Sequence, residues 1–229
     1  MLKISRFSNA ILHDIDFHLK EDENLIILGS NGAGKSTLAK VLCGITYSDS
    51  VTLFSQPLNA LNTKQRAAFI NYIPPKLEIF DEYITLLEYL ELSCLYGIEI
   101  NEALNLLDIA ALKHKPCIRL SSGEQQLCML ASALLHNAKL TIFDEPTSNL
   151  DPQKTLRVYE ILKSEKLQQR IIITHDLNLA HKLGYRILYI QEGKMAFFDE
   201  NATFFKANNL EAFFGDSITC NDDYIRVNL

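Results

Sequence analysis

Gly29-Ser30-Asn31-Gly32-Ala33-Gly34-Lys35-Ser36-Thr37 follows the apolar run Leu25-Ile26-Ile27-Leu28 and leads into Leu38-Ala39-Lys40-Val41-Leu42-Cys43. The flanks read as a buried strand and the start of a helix, so the stretch is a glycine-rich turn between them. Its spacing is G-x-x-x-x-G-K-[ST], the pattern of a phosphate-binding loop. Glycines let successive backbone N–H groups converge on a polyphosphate with no Cβ in the way. The helix that follows turns its positive end toward the same point. Lys35 is then the residue that reaches the β- and γ-phosphates, and the Ser36 hydroxyl is a ligand for Mg²⁺. A chance glycine turn is the alternative, and the flanking strand and helix weigh against it. The expectation is an α/β chain that binds a nucleoside triphosphate.

Upstream, Leu2–Phe7 and Ile11–Leu19 read as strands, the second with Ile15, Phe17 and Leu19 alternating. Phe7 suits two roles equally, stacking on a nucleotide base or filling a strand core position. Downstream, Val51–Phe54 is a short strand, Thr63–Ala68 a short helix, and Phe69–Ile73 a strand stopped by Pro74-Pro75. Helical spacing then takes over at 82–96 (Leu86, Leu87, Leu90) and 101–112 (Leu104, Leu107, Ala111), with Asn101 as the expected N-cap. Residues 76–136 thus form a helical insertion in a chain whose α/β part comprises 1–75 and 137–229.

Three more stretches carry chemistry. Leu120-Ser121-Ser122-Gly123-Glu124 opens a helix, and Ser121 and Glu124 stand in the S-x-x-E relation of a capping box. A plain helix start is the simpler reading of it taken alone; a second phosphate contact through exposed N–H groups is the other. Leu140-Thr141-Ile142-Phe143 delivers Asp144 and Glu145 to the end of a strand, where open α/β sheets bind ligands. Adjacent strand residues point to opposite sides, so one acid can hold Mg²⁺ through water while its neighbour addresses the attacking water. Ile171-Ile172-Ile173-Thr174 ends at His175, which can donate to a γ-phosphate oxygen, although a lone histidine is more often structural. Phe204-Phe205 and Phe213-Phe214 read as helix packing.

Composition bounds the partners. A chain of 229 residues with 48% hydrophobic content can bury a full core as one domain, and a net charge of −6 argues against a general nucleic-acid binder. Cys43, Cys94, Cys117, Cys128 and Cys220 form no C-x-x-C pair, which favours buried free thiols in a reducing cytosol. No apolar stretch approaches the roughly 20 residues needed to span a bilayer, and no signal pattern opens the chain. Membrane-spanning helices, if needed, come from another polypeptide.

Taken in order, Gly29–Thr37, Leu120–Glu124, Leu140–Glu145, Ser148-Asn149-Leu150-Asp151 and His175 make the chain resemble an ATP-binding cassette (ABC) ATPase subunit of a membrane transporter. The resemblance implies a RecA-like P-loop NTPase core, an antiparallel β subdomain and an inserted helical subdomain. It implies ATP and Mg²⁺, with Ser36 and Asp144 at the metal, Glu145 as general base, His175 on the γ-phosphate, and Phe7 in place of a base-stacking aromatic. It also implies a head-to-tail dimer, each ATP lying between one phosphate loop and Ser121, Ser122, Gly123 and Glu124 of a second copy, with Asp151 among the nucleotide contacts. The implied partners are transmembrane permease subunits, which the helical insertion would contact, and a substrate-binding protein at one remove. The implied location is cytoplasmic and peripheral, on the inner face of the cell membrane. A finer resemblance lies in His175-Asp176-Leu177-Asn178-Leu179-Ala180 and Asn209-Leu210-Glu211-Ala212-Phe213-Phe214-Gly215, which are similar to the ATPases of iron-siderophore, haem and cobalamin importers. A transporter ATPase for another cargo and a soluble non-transport ABC protein are the rivals. The latter usually carry coiled coils or two cassettes, which this acidic chain lacks. Four positions depart from the family: Pro75 where a glutamine senses Mg²⁺ and touches the membrane partner, Ser122 and Glu124 for glycine and glutamine, and Leu127 for arginine.

Overall fold

The computed structural model describes residues 1–79, 81–220 and 224–227. The chain runs β1 (Leu2–Phe7), β2 (Ile15–Leu19), β3 (Leu25–Gly29), α1 (Lys35–Leu42), β4 (Val51–Leu53), β5 (Gln56–Pro57), α2 (Thr63–Phe69), β6 (Ile70–Ile73), α3 (Leu86–Glu91), α4 (Ile100–Leu106), α5 (Ser122–His136), β7 (Leu140–Asp144), α6 (Pro152–Lys163), β8 (Gln169–Ile173), α7 (Leu177–Leu183), β9 (Arg186–Gln191), β10 (Lys194–Asp199), α8 (Asn201–Phe204), α9 (Ala207–Phe214), β11 (Ile218–Cys220) and β12 (Ile225–Val227). It divides into two compact units, Met1–Leu61 with Ile171–Leu229, and Asn62–Arg170.

In the first unit, β3 pairs in parallel with β8 (Leu25↔Ile171) and with β9 (Leu25↔Arg186), and β10 pairs antiparallel with β9. A strand flanked on both edges in a covered sheet needs apolar residues throughout, and all five positions of β3 are buried. The β2-β1-β4-β5 sheet is antiparallel and alternates, with Ile15, Phe17 and Leu19 buried and Asp16 and His18 exposed. The strand expected from Ile11 starts only at Ile15. Asn9 Oδ1 accepts the N–H groups of Ile11 (2.8 Å) and Leu12 (2.7 Å), and Asp14 has φ +51°, so the chain turns before it extends. The C-terminal aromatics pack as expected: Phe204 lies 5.5 Å from Phe213 and 5.7 Å from Tyr189, centroid to centroid.

In the second unit, β6 and β7 pair in parallel from Ile70↔Leu140 to Ile73↔Phe143. Helix α5 is buried along most of its length, and the helical segment is present but shorter than its periodicity suggests. Helix α3 opens at a Thr85–Glu88 capping box and ends at Glu91. Beyond it the N–H groups of Leu95 and Gly97 turn to the Leu135 carbonyl at the end of α5 (3.3 and 2.9 Å). A Cβ on Gly97 would lie 1.8 Å from the Leu134 carbonyl oxygen, so this approach requires glycine. Glu99, not Asn101, is the N-cap of α4, whose break at Asp108 (φ +55°) leaves Ala111 exposed on a separate turn. Cys43, Cys117 and Cys128 are buried as expected, but Cys94 is exposed and Cys220 half-buried. Among the described residues no helix is long and apolar enough to cross a membrane.

Candidate functional site

The phosphate loop leaves the C-terminal end of β3 and closes on the first turn of α1. Gly34, the N-cap, has φ +103°, and a Cβ there would lie 2.6 Å from Leu12 Cδ2; Gly29 would meet the Ile190 carbonyl at 2.5 Å. Both positions therefore exclude larger residues. No side chain caps the helix, and its first turn carries no acid. The positive end of its dipole thus meets no side-chain acid or cap, and an anion suits it. Lys35 is buried and donates from Nζ to the carbonyls of Gly29 (2.7 Å) and Ser30 (3.0 Å), which holds the loop curled around its own ammonium. Ser30, Asn31, Gly32 and Ser36 are exposed, Ala33 is buried and Thr37 half-buried. In the same unit, the buried Thr174 donates its N–H to Ile27 O (3.2 Å), which anchors the end of β8 to β3. His175 follows, exposed, one residue beyond it.

Phe7 is 8% exposed, inside the antiparallel sheet. A ring stacked on a base needs an open face, and Phe7 presents none. The core reading accounts for it. The flanking half of the finer resemblance also has a local explanation. Asp176 caps α7 through the N–H groups of Asn178 (2.9 Å) and Leu179 (3.0 Å). Asn178 clamps β12 by accepting Ile225 N–H (2.7 Å) and donating to Ile225 O (3.3 Å).

In the second unit, Asp144 ends β7 with 2% exposure, and its Oδ2 accepts the Tyr72 hydroxyl at 2.9 Å from the neighbouring β6. A buried carboxylate is costly, and a neutral phenol orients its charge without offsetting it. That donor set suits a hard cation bound through oxygen. In the other unit, the exposed Ser36 hydroxyl in the first turn of α1 is an oxygen donor of the same hard kind. Strand alternation, expected from the sequence to aim Glu145, does not set its direction. Glu145 lies beyond the strand at φ +54°, in the left-handed region, and begins a turn closed by Ser148 N–H to Glu145 O (3.2 Å) with Pro146 at its second position.

The start of α5 is a full capping box: Ser121 N–H donates to Glu124 Oε2 (2.7 Å), and Glu124 N–H to Ser121 Oγ (3.3 Å). Lys115 Nζ reaches the same Glu124 oxygen at 2.7 Å. Burial pushes the Glu124 carboxyl up, but the Lys115 ammonium and the Ser121 N–H outweigh it and hold the group below its ordinary value. Ser121 and Ser122 remain exposed and Gly123 is buried. Asp151 is the N-cap of α6, accepting Lys154 N–H (2.9 Å) and pairing with its ammonium (2.7 Å), which lowers its pKa.

The family model described as ABC transporter matches residues 12–148, more than half of the chain. The chain belongs to the ABC transporter family. This ABC transporter ATPase is 30% identical over 209 residues to the arginine transport ATP-binding protein ArtP of Haemophilus influenzae, covering 82% of this chain and 85% of that protein. It is 32% identical over 202 residues to the lipoprotein-releasing system ATP-binding protein LolD of Pseudoalteromonas translucida, covering 81% and 87%. A metal-chelate type ABC transporter solved in an inward-facing conformation shares the fold, with a TM-score of 0.76 and 21% identity, over 98% of this chain and 94% of that one. The ABC ATPase is thus an ATP-binding, ATP-hydrolysing domain on a RecA-like α/β fold. Sequence reasoning missed two residues that shape its acidic end: Tyr72, which holds Asp144, and Gln126, which is bonded to the turn at Glu145. A lone tyrosine in a strand that pairs with the acidic strand was the available signal for the first.

Proposed function

We propose that this ABC ATPase hydrolyses ATP as a head-to-tail pair and energises separate membrane subunits of an importer. In this reading Gly29–Thr37 bind the triphosphate and His175 donates to its γ-phosphate. Ser36 and Asp144 would hold Mg²⁺, which when bound offsets charge on the β- and γ-phosphate oxygens. Glu145 polarises the attacking water as general base. Ser121–Glu124 of a second copy cover the nucleotide, and Asp151 fixes the start of α6 behind that contact. The carrying observation is the pair of acids at the end of β7, one buried and fixed by Tyr72, the other turned out of the strand by a left-handed backbone. Tyr83, Leu92, Leu95, Tyr96 and Ile118, all exposed large apolar side chains within 76–136, support a docking role for the helical insertion toward permease subunits at the inner membrane face. A substrate-binding protein would act at one remove from the ATPase.

The test is Glu145→Gln. It is expected to keep ATP affinity while cutting kcat by about a hundredfold or more, the range a general base supplies. Turnover like that of the unsubstituted chain would refute the assignment. The cargo reading, an iron chelate, haem or cobalamin, is supported by His175–Ala180 and Asn209–Gly215. The arginine and lipoprotein relatives favour a second reading, another cargo, imported or exported. Uptake of labelled ferric chelate, haem and cobalamin by cells with and without the gene decides between them. Equal uptake of all three rejects the first.

A further inference from the structure

We propose that Gln126 is a positioning residue for the catalytic turn, its buried amide fastening Glu145–Ser148 to the backbone at the end of β6. This rests on the reading of Glu145 as general base. Gln126 lies in the second turn of α5 and is 5% exposed. Its Nε2 donates to Pro75 O at 2.9 Å and to Ser148 Oγ at 2.9 Å, and stands 3.5 Å from Glu145 O. Pro75 O and Glu145 O can only accept, so the nitrogen, not the oxygen, of the amide must face them. The two N–H groups serve the two short bonds, and the third contact is at the outer limit of a hydrogen bond. Three segments far apart in sequence therefore meet on one side chain.

The turn needs such a support. Glu145 holds φ +54°, a conformation that a non-glycine residue keeps only where its surroundings over-determine it. The Ser148 N–H closes the turn on Glu145 O at 3.2 Å from inside, and Gln126 grips the Ser148 hydroxyl from α5. One turn earlier on the helix, a Cβ on Gly123 would lie 3.5 Å from both Leu150 Cδ2 and Lys154 Cδ, so α5 follows the same stretch of chain beyond the turn. Ser121–Glu124 stand at the beginning of this helix. A displacement of α5, or of the chain at Pro75, is thereby passed to the backbone that aims Glu145. At Pro75 a side chain could not make the link, because proline offers no N–H and no side-chain oxygen. Its carbonyl makes it, through Gln126.

Gln126→Leu keeps the volume and removes the donor. The expected result is a fall in kcat of about tenfold with ATP affinity changed less than about twofold, the pattern of a lost transition-state alignment rather than lost binding. Ser148→Ala, a milder change at a half-buried residue, should lower kcat several-fold in the unsubstituted chain and no further in Gln126→Leu, because both remove one link. Hydrogen exchange of amides 145 and 147–149 should quicken in both variants while amides 128–136 keep their protection. Unchanged kcat, additive effects in the double variant, or unchanged exchange at 145 and 147–149 would each overturn the proposal. If the unsubstituted chain fails to hydrolyse ATP, the functional reading falls, and the exchange measurement still decides the role of Gln126.

Discussion

Tyr72 shows what single residues add to a motif. The Asp144-Glu145 pair is legible in the sequence, because the short strand Leu140-Thr141-Ile142-Phe143 delivers two adjacent acids to its C-terminal end. The phenol that fixes Asp144 comes from 72 positions earlier, brought there by the parallel register Tyr72↔Ile142 and Ile73↔Phe143. Nothing local announces such a bond. A hydrogen bond to a charged group contributes about 1.5–3 kcal/mol, and this one is half-buried. Tyr72→Phe should leave metal-free ATP binding intact and raise the Mg²⁺ concentration for half-maximal hydrolysis by about three- to tenfold, since Asp144 loses its fixed orientation. A titration of ATPase rate against Mg²⁺ checks this, and a superimposable curve rejects it. Phe7 marks the opposite case. Its type suits stacking, but burial depends on the whole sheet, which pattern alone does not contain.

At the scale of elements, signals written in consecutive residues were readable and signals set by distant partners were not. The capping box of α5 and the alternation of β2 follow from side chains three or two positions apart. The early end of α3 follows from orphan carbonyls at the far end of α5, which draw the chain away from helical spacing. The start of α5 also carries a pH dependence. The Glu124 carboxyl is held below its ordinary value of 4.5 in the folded chain, so its contribution is present above that value and fades as pH falls through the lower, folded one. Glu124→Gln keeps an acceptor for Ser121 N–H and loses the charge toward Lys115. Near neutrality the variant should melt about 2–4 °C lower, for a loss of about 1 kcal/mol. The difference should shrink as pH falls below the ordinary carboxyl range and vanish once the folded carboxyl itself protonates. A constant difference across pH 7 to 3 would place the stabilisation elsewhere.

For the whole molecule, the proposed pairing turns on which parts of the machinery one chain can use alone. The phosphate loop and His175 lie in the first unit; the acids and Ser121–Glu124 lie in the second. If Ser121–Glu124 cover the nucleotide of a partner, a broken loop and a broken α5 start are defects in different halves of each site. In a two-fold dimer the contact is reciprocal, so each copy lends its α5 and receives the other's. Lys35→Ala removes the phosphate ligand, and Ser122→Trp puts a bulky ring on the exposed first residue of α5 without touching the loop. Each variant alone should be nearly inactive. Mixed one to one, half of the pairs combine both variants. In each of those pairs one site carries both defects and the other carries neither. Hydrolysis should recover to up to about one quarter of the unsubstituted rate. Sites complete within a single chain would give no recovery on mixing, because neither variant could supply what its neighbour lacks. The rate of the mixture thus separates a shared site from a self-sufficient one without a view of the assembled pair.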